Sequence, residues 1–154
     1  MLQRIQTVYI LLFATVLFSA SLLPFASLNL MDNVYVIYPT GWEQNGGELK
    51  KSPMYVGYLV AISFAVLQLV NFKKRKKQLR YGKICYLIVL LTLVYMFNAV
   101  DQKSDILISE TSNNLNVIYS YSMYLLVCSL PLMFLANRAI KKDENIIKSL
   151  DRLR

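Results

Sequence analysis

Four long stretches without charged residues divide the chain, and short charged segments separate them. The uncharged stretches run over residues 5–31, 52–72, 84–100 and 111–137. A hydrocarbon layer about 30 Å thick is crossed by about 20 apolar residues in a helix. The pattern therefore predicts four membrane-spanning helices, which we place at about residues 5–26, 52–72, 82–100 and 115–137.

Each predicted span is continuously apolar, as in the run Tyr86–Val94. A barrel strand would alternate in polarity, whereas a helix satisfies its own backbone hydrogen bonds in lipid. The predicted fold class is therefore all-α membrane, an up-down four-transmembrane-helix bundle. Pro24 is expected to end the first helix and Pro131 to kink the fourth. A cleaved signal peptide is the alternative interpretation of the first span, because Arg4 precedes the apolar run and small residues follow it.

The composition agrees with this class. Of the 154 residues, 56% are apolar and 17% are charged, against about 45–50% and about 25% in soluble domains. A soluble globular enzyme, a disordered chain and a disulfide-stapled secreted domain are therefore excluded.

The distribution of positive charge predicts which ends face the cytoplasm. The N-terminus, the loop over residues 73–83 and the C-terminal tail hold fourteen of the 17 Lys and Arg residues. The positive-inside rule places these three segments in the cytoplasm and the loops over residues 32–51 and 101–114 outside. Residues 1–140 then form one membrane domain, and residues 141–154 form a cytoplasmic amphipathic tail.

The two outer loops contain short β-prone runs at residues 33–38 and 105–109. Pro39-Thr40-Gly41 and Asn45-Gly46-Gly47 are turn signals. Two strands alone in water are marginal, so we expect these runs to pair with each other on the ends of the helices as a small extracytoplasmic β cap. The cap is either an interaction surface or only a cover for the bundle.

The residue types that carry most catalysis are missing. The chain has no histidine, and its two cysteines, Cys85 and Cys128, lie in separate predicted spans, where small apolar fillers are the expected role. No charged residue lies within the core of a predicted span, although ion-coupled transport normally needs one there. We therefore predict no catalytic residue, no metal site and no cofactor.

Small and polar residues within the spans favour contacts between helices. Gly57, Ala61 and Ala65 form a small-xxx-small stripe that we expect to face another helix. The polar residues within the spans are each able to hydrogen-bond to a neighbouring helix, which is their expected role: Ser63, Gln68, Asn71, Thr92 and Asn98.

The basic run at residues 73–77 lies directly at a predicted helix end, where anionic lipid headgroups are the nearest partner. Lipid contact is therefore favoured over nucleic-acid binding. The candidate lipid or partner contacts in this run are Lys73, Lys74, Arg75, Lys76 and Lys77.

The opening Met1-Leu2-Gln3-Arg4-Ile5-Gln6-Thr7 resembles the start of an uncharacterised family of small four-helix membrane proteins, common in Bacteroidetes, whose members begin Met-(Ile/Leu)-Gln-Arg-Ile-Gln-Thr. The resemblance implies a bacterial inner-membrane location and no activity. Gln3, Arg4 and Gln6 are candidate contacts for a partner or a lipid headgroup; the alternative is that they only orient and solvate the start of the helix.

Three features favour a non-enzymatic accessory or structural subunit of a larger membrane complex. The chain is small, it lacks a catalytic motif, and the predicted bundle carries a β cap at its outer end and a basic loop at its inner end. The alternative is an oligomeric small transporter or channel, which would need a polar path. A lipid-modifying membrane enzyme is the least favoured role.

Overall fold

A computed structural model describes residues 2–30, 33–72, 74–111 and 115–152 of the chain, with side chains for residues 5–30, 33–72, 74–109 and 115–146. The elements in chain order are α1 (Leu2–Leu22), β1 (Ala26–Leu30), β2 (Asn33–Tyr38), β3 (Gly41–Gln44), β4 (Lys50–Lys51), a 3₁₀ turn (Pro53–Tyr55), α2 (Val56–Val70), α3 (Arg75–Thr111), β5 (Asn116–Tyr119) and α4 (Tyr121–Arg152).

The four predicted apolar helices are confirmed. The segments long and apolar enough to cross a membrane are Ile5–Leu22, Pro53–Val70, Arg75–Ser109 and Tyr121–Ile146. Large apolar side chains cover their outer surfaces, including Phe18, Val70 and Leu91, which are 59–68% exposed. Soluble monomers rarely expose apolar area on this scale, so the helix surfaces suit a lipid environment.

The helices pack as two antiparallel pairs. The Ser122 hydroxyl, at the start of α4, donates a hydrogen bond of 2.6 Å to the Ala20 carbonyl near the end of α1. The Cys85 thiol of α3 donates to the Ala61 carbonyl of α2 at 3.2 Å. Ala61 and Ala65 are fully buried, and a Cβ on Gly57 would overlap the Thr92 side chain. The predicted small-residue stripe therefore does face another helix, α3.

The middle of the bundle is filled by apolar side chains. All four helices contribute fully buried or nearly fully buried residues, including Phe13, Leu17, Ala61, Ala65, Val89, Met96, Leu126 and Met133. Thr92 and Ser129 are also buried there, but each hydroxyl donates to a carbonyl of its own helix. Ser63, Asn71 and Asn98 likewise donate to their own helix, so the expected contact with a neighbouring helix was wrong for these three and for Thr92 and is confirmed for Gln68.

A five-stranded antiparallel sheet closes one end of the bundle, in the order β4-β3-β2-β1-β5. Ser27 of β1 pairs with Val36 of β2 and with Ile118 of β5. The inner face of the sheet packs on the helices, with the Phe25 ring 5.7 Å from Phe97 of α3. We call this end the sheet end, and the opposite end, where α1 and α3 begin, the basic end.

The turns of the sheet follow the predicted signals. Gly41 has φ +155°, and a Cβ there would overlap the Lys50 carbonyl, so the first turn requires glycine. Asn45 and Gly46 also have positive φ, and the Asn45 side chain accepts a 2.7 Å hydrogen bond from the Val34 backbone. Positive φ at both positions is typical of a tight hairpin turn.

The prediction of which residues form the strands of the cap was partly wrong. Residues 33–38 do form a strand, but residues 105–109 continue α3 as helix. Val100, Ser104 and Leu107 are buried at helical spacing, which favours helix over the β-branched character of the segment. The first helix is also shorter than predicted, because residues 26–30 form β1.

Candidate functional site

The basic end gathers cationic side chains from two helices. Of the described residues, Lys74, Lys76, Lys77, Arg80 and Lys83 lie at or near the start of α3, and Arg138, Lys141 and Lys142 lie toward the end of α4; all are exposed. Cations are unfavourable beside the positive end of a helix dipole. An anionic surface or partner would therefore be favoured at the start of α3.

A buried carboxylate joins three helices beneath these cations. The Gln6 amide of α1 donates to Asp143 Oδ2 of α4 and, at 3.4 Å, to the Ala139 carbonyl. Arg75, at the start of α3, has its Nη1 4.0 Å from the same Oδ2. Asp143 is 4% exposed and Gln6 is 6% exposed. A buried charge is tolerated only when it is paired or hydrogen-bonded, and the hydrogen bond from Gln6 together with the nearby Arg75 charge meets that need.

One oxygen of this carboxylate has no partner among the described residues. Asp143 Oδ1 is buried and accepts no hydrogen bond there. Leaving a buried acceptor unsatisfied costs about 1–3 kcal/mol. The junction of Gln6, Arg75 and Asp143 is therefore sensitive to the loss of either the Gln6 hydrogen bond or the Arg75 charge.

A second polar contact lies one layer deeper. Gln68 Nε2 of α2 donates to Asn137 Oδ1 of α4 at 3.2 Å. Both amides pack against Gly82 of α3, where a Cβ would overlap them. Glycine at position 82 thus lets two polar side chains meet between three helices.

The structure brings together two of the predicted site residues and separates the others. Gln6 and Arg75 converge on Asp143, whereas Lys74, Lys76 and Lys77 remain exposed without converging. Lys73 lies outside the described residues, as do the side chains of Gln3 and Arg4.

The sequence interpretation missed Asp143, because it assigned residue 143 to a surface tail. The buried stripe of α4 continues to this position at alternating spacings of four and three, through Ser122, Leu126, Ser129, Met133, Ala136, Ile140 and Asp143. That helical period was the signal available in the sequence.

The chain matches the family described as "Domain of unknown function (DUF4293)" over residues 2–153. The chain belongs to the DUF4293 family. A comparison with curated proteins found no match. The family description assigns no activity, so the chemistry of this DUF4293 protein rests on its own residues.

The two cysteines of this DUF4293 protein lie in different surroundings. Cys85 is fully buried, as expected of a small filler, whereas Cys128 is exposed on the outside of α4 and the same expectation for it was wrong. Among the described side chains, no group of three or more Cys, Asp or Glu could hold a metal ion.

The sheet end of the DUF4293 fold offers a different surface. Lys103 of α3 lies 3.5 Å from the centre of the Trp42 ring, and Lys50 lies 4.7 Å from it. Tyr38 donates to Glu43 Oε1 at 3.5 Å, and partial burial, together with this carboxylate, raises the pKa of Tyr38. On the face away from the helices, Val34 and Ile118 are 40% and 48% exposed.

Proposed function

We propose that this DUF4293 protein is a multi-pass protein of the bacterial inner membrane, and a non-enzymatic accessory or structural subunit of a larger membrane complex. In this proposal the bundle is up-down, both termini and the basic end lie in the cytoplasm, and the sheet end lies outside.

In this proposal, the outer face of the sheet is the surface that contacts the partner subunit. Val34 and Ile118 are exposed apolar side chains on the face that does not pack against the helices. Among the described strands, β5 is the last in the sheet, so its outer edge pairs with none of them. Exposed edges and apolar patches outside lipid favour association with another polypeptide.

The apolar interior argues against the alternative of a transporter path through one chain. Between the two polar contacts at the basic end and the sheet, most buried residues of the described helices are apolar. Thr92 and Ser129 bond to their own helix, Cys85 and Ser122 donate to a backbone carbonyl of the neighbouring helix, and the Tyr58 hydroxyl is buried as well. Transport sites normally require polar or charged groups near the middle of the membrane. A path between several copies would have to use the outer helix surfaces, which are mostly apolar and whose exposed polar side chains Ser19, Ser63 and Asn98 bond to their own helices.

The distribution of charge supports the proposed orientation. The described cations of the basic end outnumber Asp143 and Glu144, whereas the sheet end combines Lys50, Lys51 and Lys103 with the acids Glu43, Glu48, Asp101 and Asp105. The positive-inside rule favours the cytoplasm for the basic end.

Purification of the chromosomally tagged protein in mild detergent, with mass spectrometry and native sizing, tests the subunit role. We expect a second polypeptide in a fixed ratio. The double variant Val34→Lys/Ile118→Lys should lose it, while the control Glu48→Lys, in an exposed turn, should retain it. A homogeneous homo-oligomer or a lone monomer would contradict the proposal.

A further inference from the structure

A groove runs between α3 and α4 near the basic end, separate from the buried junction at Asp143. Its volume is about 540 Å³. Its walls include Lys83 and Leu87 of α3 and Phe134, Asn137, Arg138 and Lys141 of α4. A second, shallower depression continues from it past Lys142 and Asn145, and shares Arg138 and Lys141 with the groove.

Three cations from two helices surround the mouth of this groove. Lys83 comes from α3, and Arg138 and Lys141 are three residues apart on α4, a spacing that places them on one face. All three are exposed, and within the described part of the chain none of them forms an ion pair with a carboxylate. The mouth therefore has an uncompensated positive charge that fits an anion.

The walls of the groove become apolar toward the middle of the bundle. Leu87 lies four residues beyond Lys83, and Phe134 lies four residues before Arg138. At 1.5 Å per residue each step is about 6 Å along its helix. Because α3 and α4 run in opposite directions, both steps lead away from the basic end. Leu87 and Phe134 are 58% and 57% exposed, so the apolar part is open to the surroundings of the bundle.

A polar group lies between the charged and apolar parts. Asn137 lines the groove, and its Oδ1 already accepts the hydrogen bond from Gln68. Its Nδ2 makes no hydrogen bond with the described residues and can donate to an ester or phosphate oxygen. This arrangement of cations, then an amide donor, then apolar walls matches the order of groups in a phospholipid.

We propose that this groove binds one anionic glycerophospholipid, with the headgroup phosphate at Lys83, Arg138 and Lys141 and the acyl chains along Leu87 and Phe134. A free phosphate would use the cations but not the apolar walls. The proposal requires the helices to lie in a membrane; it does not rest on the subunit role.

Native mass spectrometry of the delipidated full chain in non-ionic detergent tests the site. With phosphatidylglycerol as the probe, we expect one lipid to bind at least tenfold more tightly than phosphatidylcholine. The double variant Arg138→Gln/Lys141→Gln should weaken phosphatidylglycerol binding at least tenfold. Lys76→Gln/Lys77→Gln removes the same charge from the same end outside the groove and should change binding less than twofold.

Three results would overturn the proposal. These are equal binding of the two lipids, equal losses in the two double variants, and displacement of the lipid by 10 mM inorganic phosphate, which would make the site a simple anion site. Size-exclusion elution and circular dichroism establish that each variant is folded. If the Arg138→Gln/Lys141→Gln variant is not folded, Lys83→Gln on the other wall of the groove replaces it. We expect Lys83→Gln to weaken phosphatidylglycerol binding at least threefold, and unchanged binding would contradict the proposal. Because the assay uses the isolated chain, its outcome is independent of any protein partner.

Discussion

At the residue scale, the decisive feature is a carboxylate buried where three helices meet. One oxygen of Asp143 accepts a hydrogen bond from Gln6 and lies 4.0 Å from the Arg75 guanidinium, while the other oxygen has no partner among the described residues. Removing one member of a buried charged pair costs more than the pair contributes as a whole, because the remaining charge is left uncompensated. The junction therefore favours one register of α1 and α3 against α4.

Replacing Gln6 tests this junction. Gln6→Leu leaves the carboxylate with Arg75 alone, so we expect the free energy of unfolding to fall by about 1–3 kcal/mol. Asp143→Leu should cost a similar amount, since it leaves the Gln6 amide only its 3.4 Å hydrogen bond to the Ala139 carbonyl and leaves Arg75 without its carboxylate. Helix content at 222 nm during a detergent-denaturant titration measures both values.

The double variant Gln6→Leu/Asp143→Leu gives the sharper result. Because both polar groups are then replaced by apolar ones, its cost should be smaller than the sum of the single costs by about 0.5–3 kcal/mol. Asn145→Leu, exposed on the same helix, should change stability by no more than about 0.5 kcal/mol. Strict additivity of the two single variants would refute the coupling.

At the element scale, helices and turns could be predicted from local pattern, whereas pairing partners could not. The apolar runs gave the four helices, and glycine-rich signals gave the turns at residues 39–41 and 45–47. Strand β1 follows an apolar helix without a charged break, so hydrophobicity alone merged the two. The finer signal in the sequence was the alternation of apolar and polar residues over 26–30 (Ala-Ser-Leu-Asn-Leu), and the buried positions follow it. The pairing of β1 with β5, 90 residues later, depends on how the helices bring the strands together.

The contact between α2 and α3 gives a prediction in which helix propensity and steric overlap change the free energy of unfolding in opposite directions. Gly57→Ala improves helix propensity by about 1 kcal/mol, but its Cβ would overlap Thr92, and overpacking costs about 1–3 kcal/mol. We expect a net loss of stability in the same denaturant titration.

A compensating substitution in α3 should restore part of the stability lost in Gly57→Ala. In the Gly57→Ala background, Thr92→Ala removes the overlapping atoms and should recover at least half of the lost stability. Ser63→Ala, on the exposed face of α2, is the matched control and should have little effect. Stabilisation by Gly57→Ala alone would show that the two helices are not in close contact there.

At the scale of the whole molecule, the two ends differ in both charge and architecture. One end has a polar junction beneath exposed cations, the other has an antiparallel sheet whose outer face exposes Val34 and Ile118, and a largely apolar core separates them. The sequence could indicate this polarity because charge counts do not depend on tertiary contacts. It could not indicate the groove between α3 and α4, which exists only once the two helices pack.

Cysteine labelling tests the proposed orientation. In a Cys128→Ser background, Glu48→Cys at the sheet end should react with a membrane-impermeant maleimide in intact spheroplasts, because the positive-inside rule places that end outside. Asn145→Cys at the basic end should react only after the membrane is permeabilised. Cys85 is buried and should stay unlabelled in both variants. The reverse pattern would contradict the orientation.

Site-specific photo-crosslinking in living cells tests the central claim, the subunit role, most directly. A benzophenone amino acid at position 118, on the outer face of the sheet, should give one ultraviolet-dependent adduct with a different polypeptide of defined mass. The same probe at position 48, in the exposed turn, should give none. Adducts only between copies of this chain, or no adduct at position 118, would contradict the account.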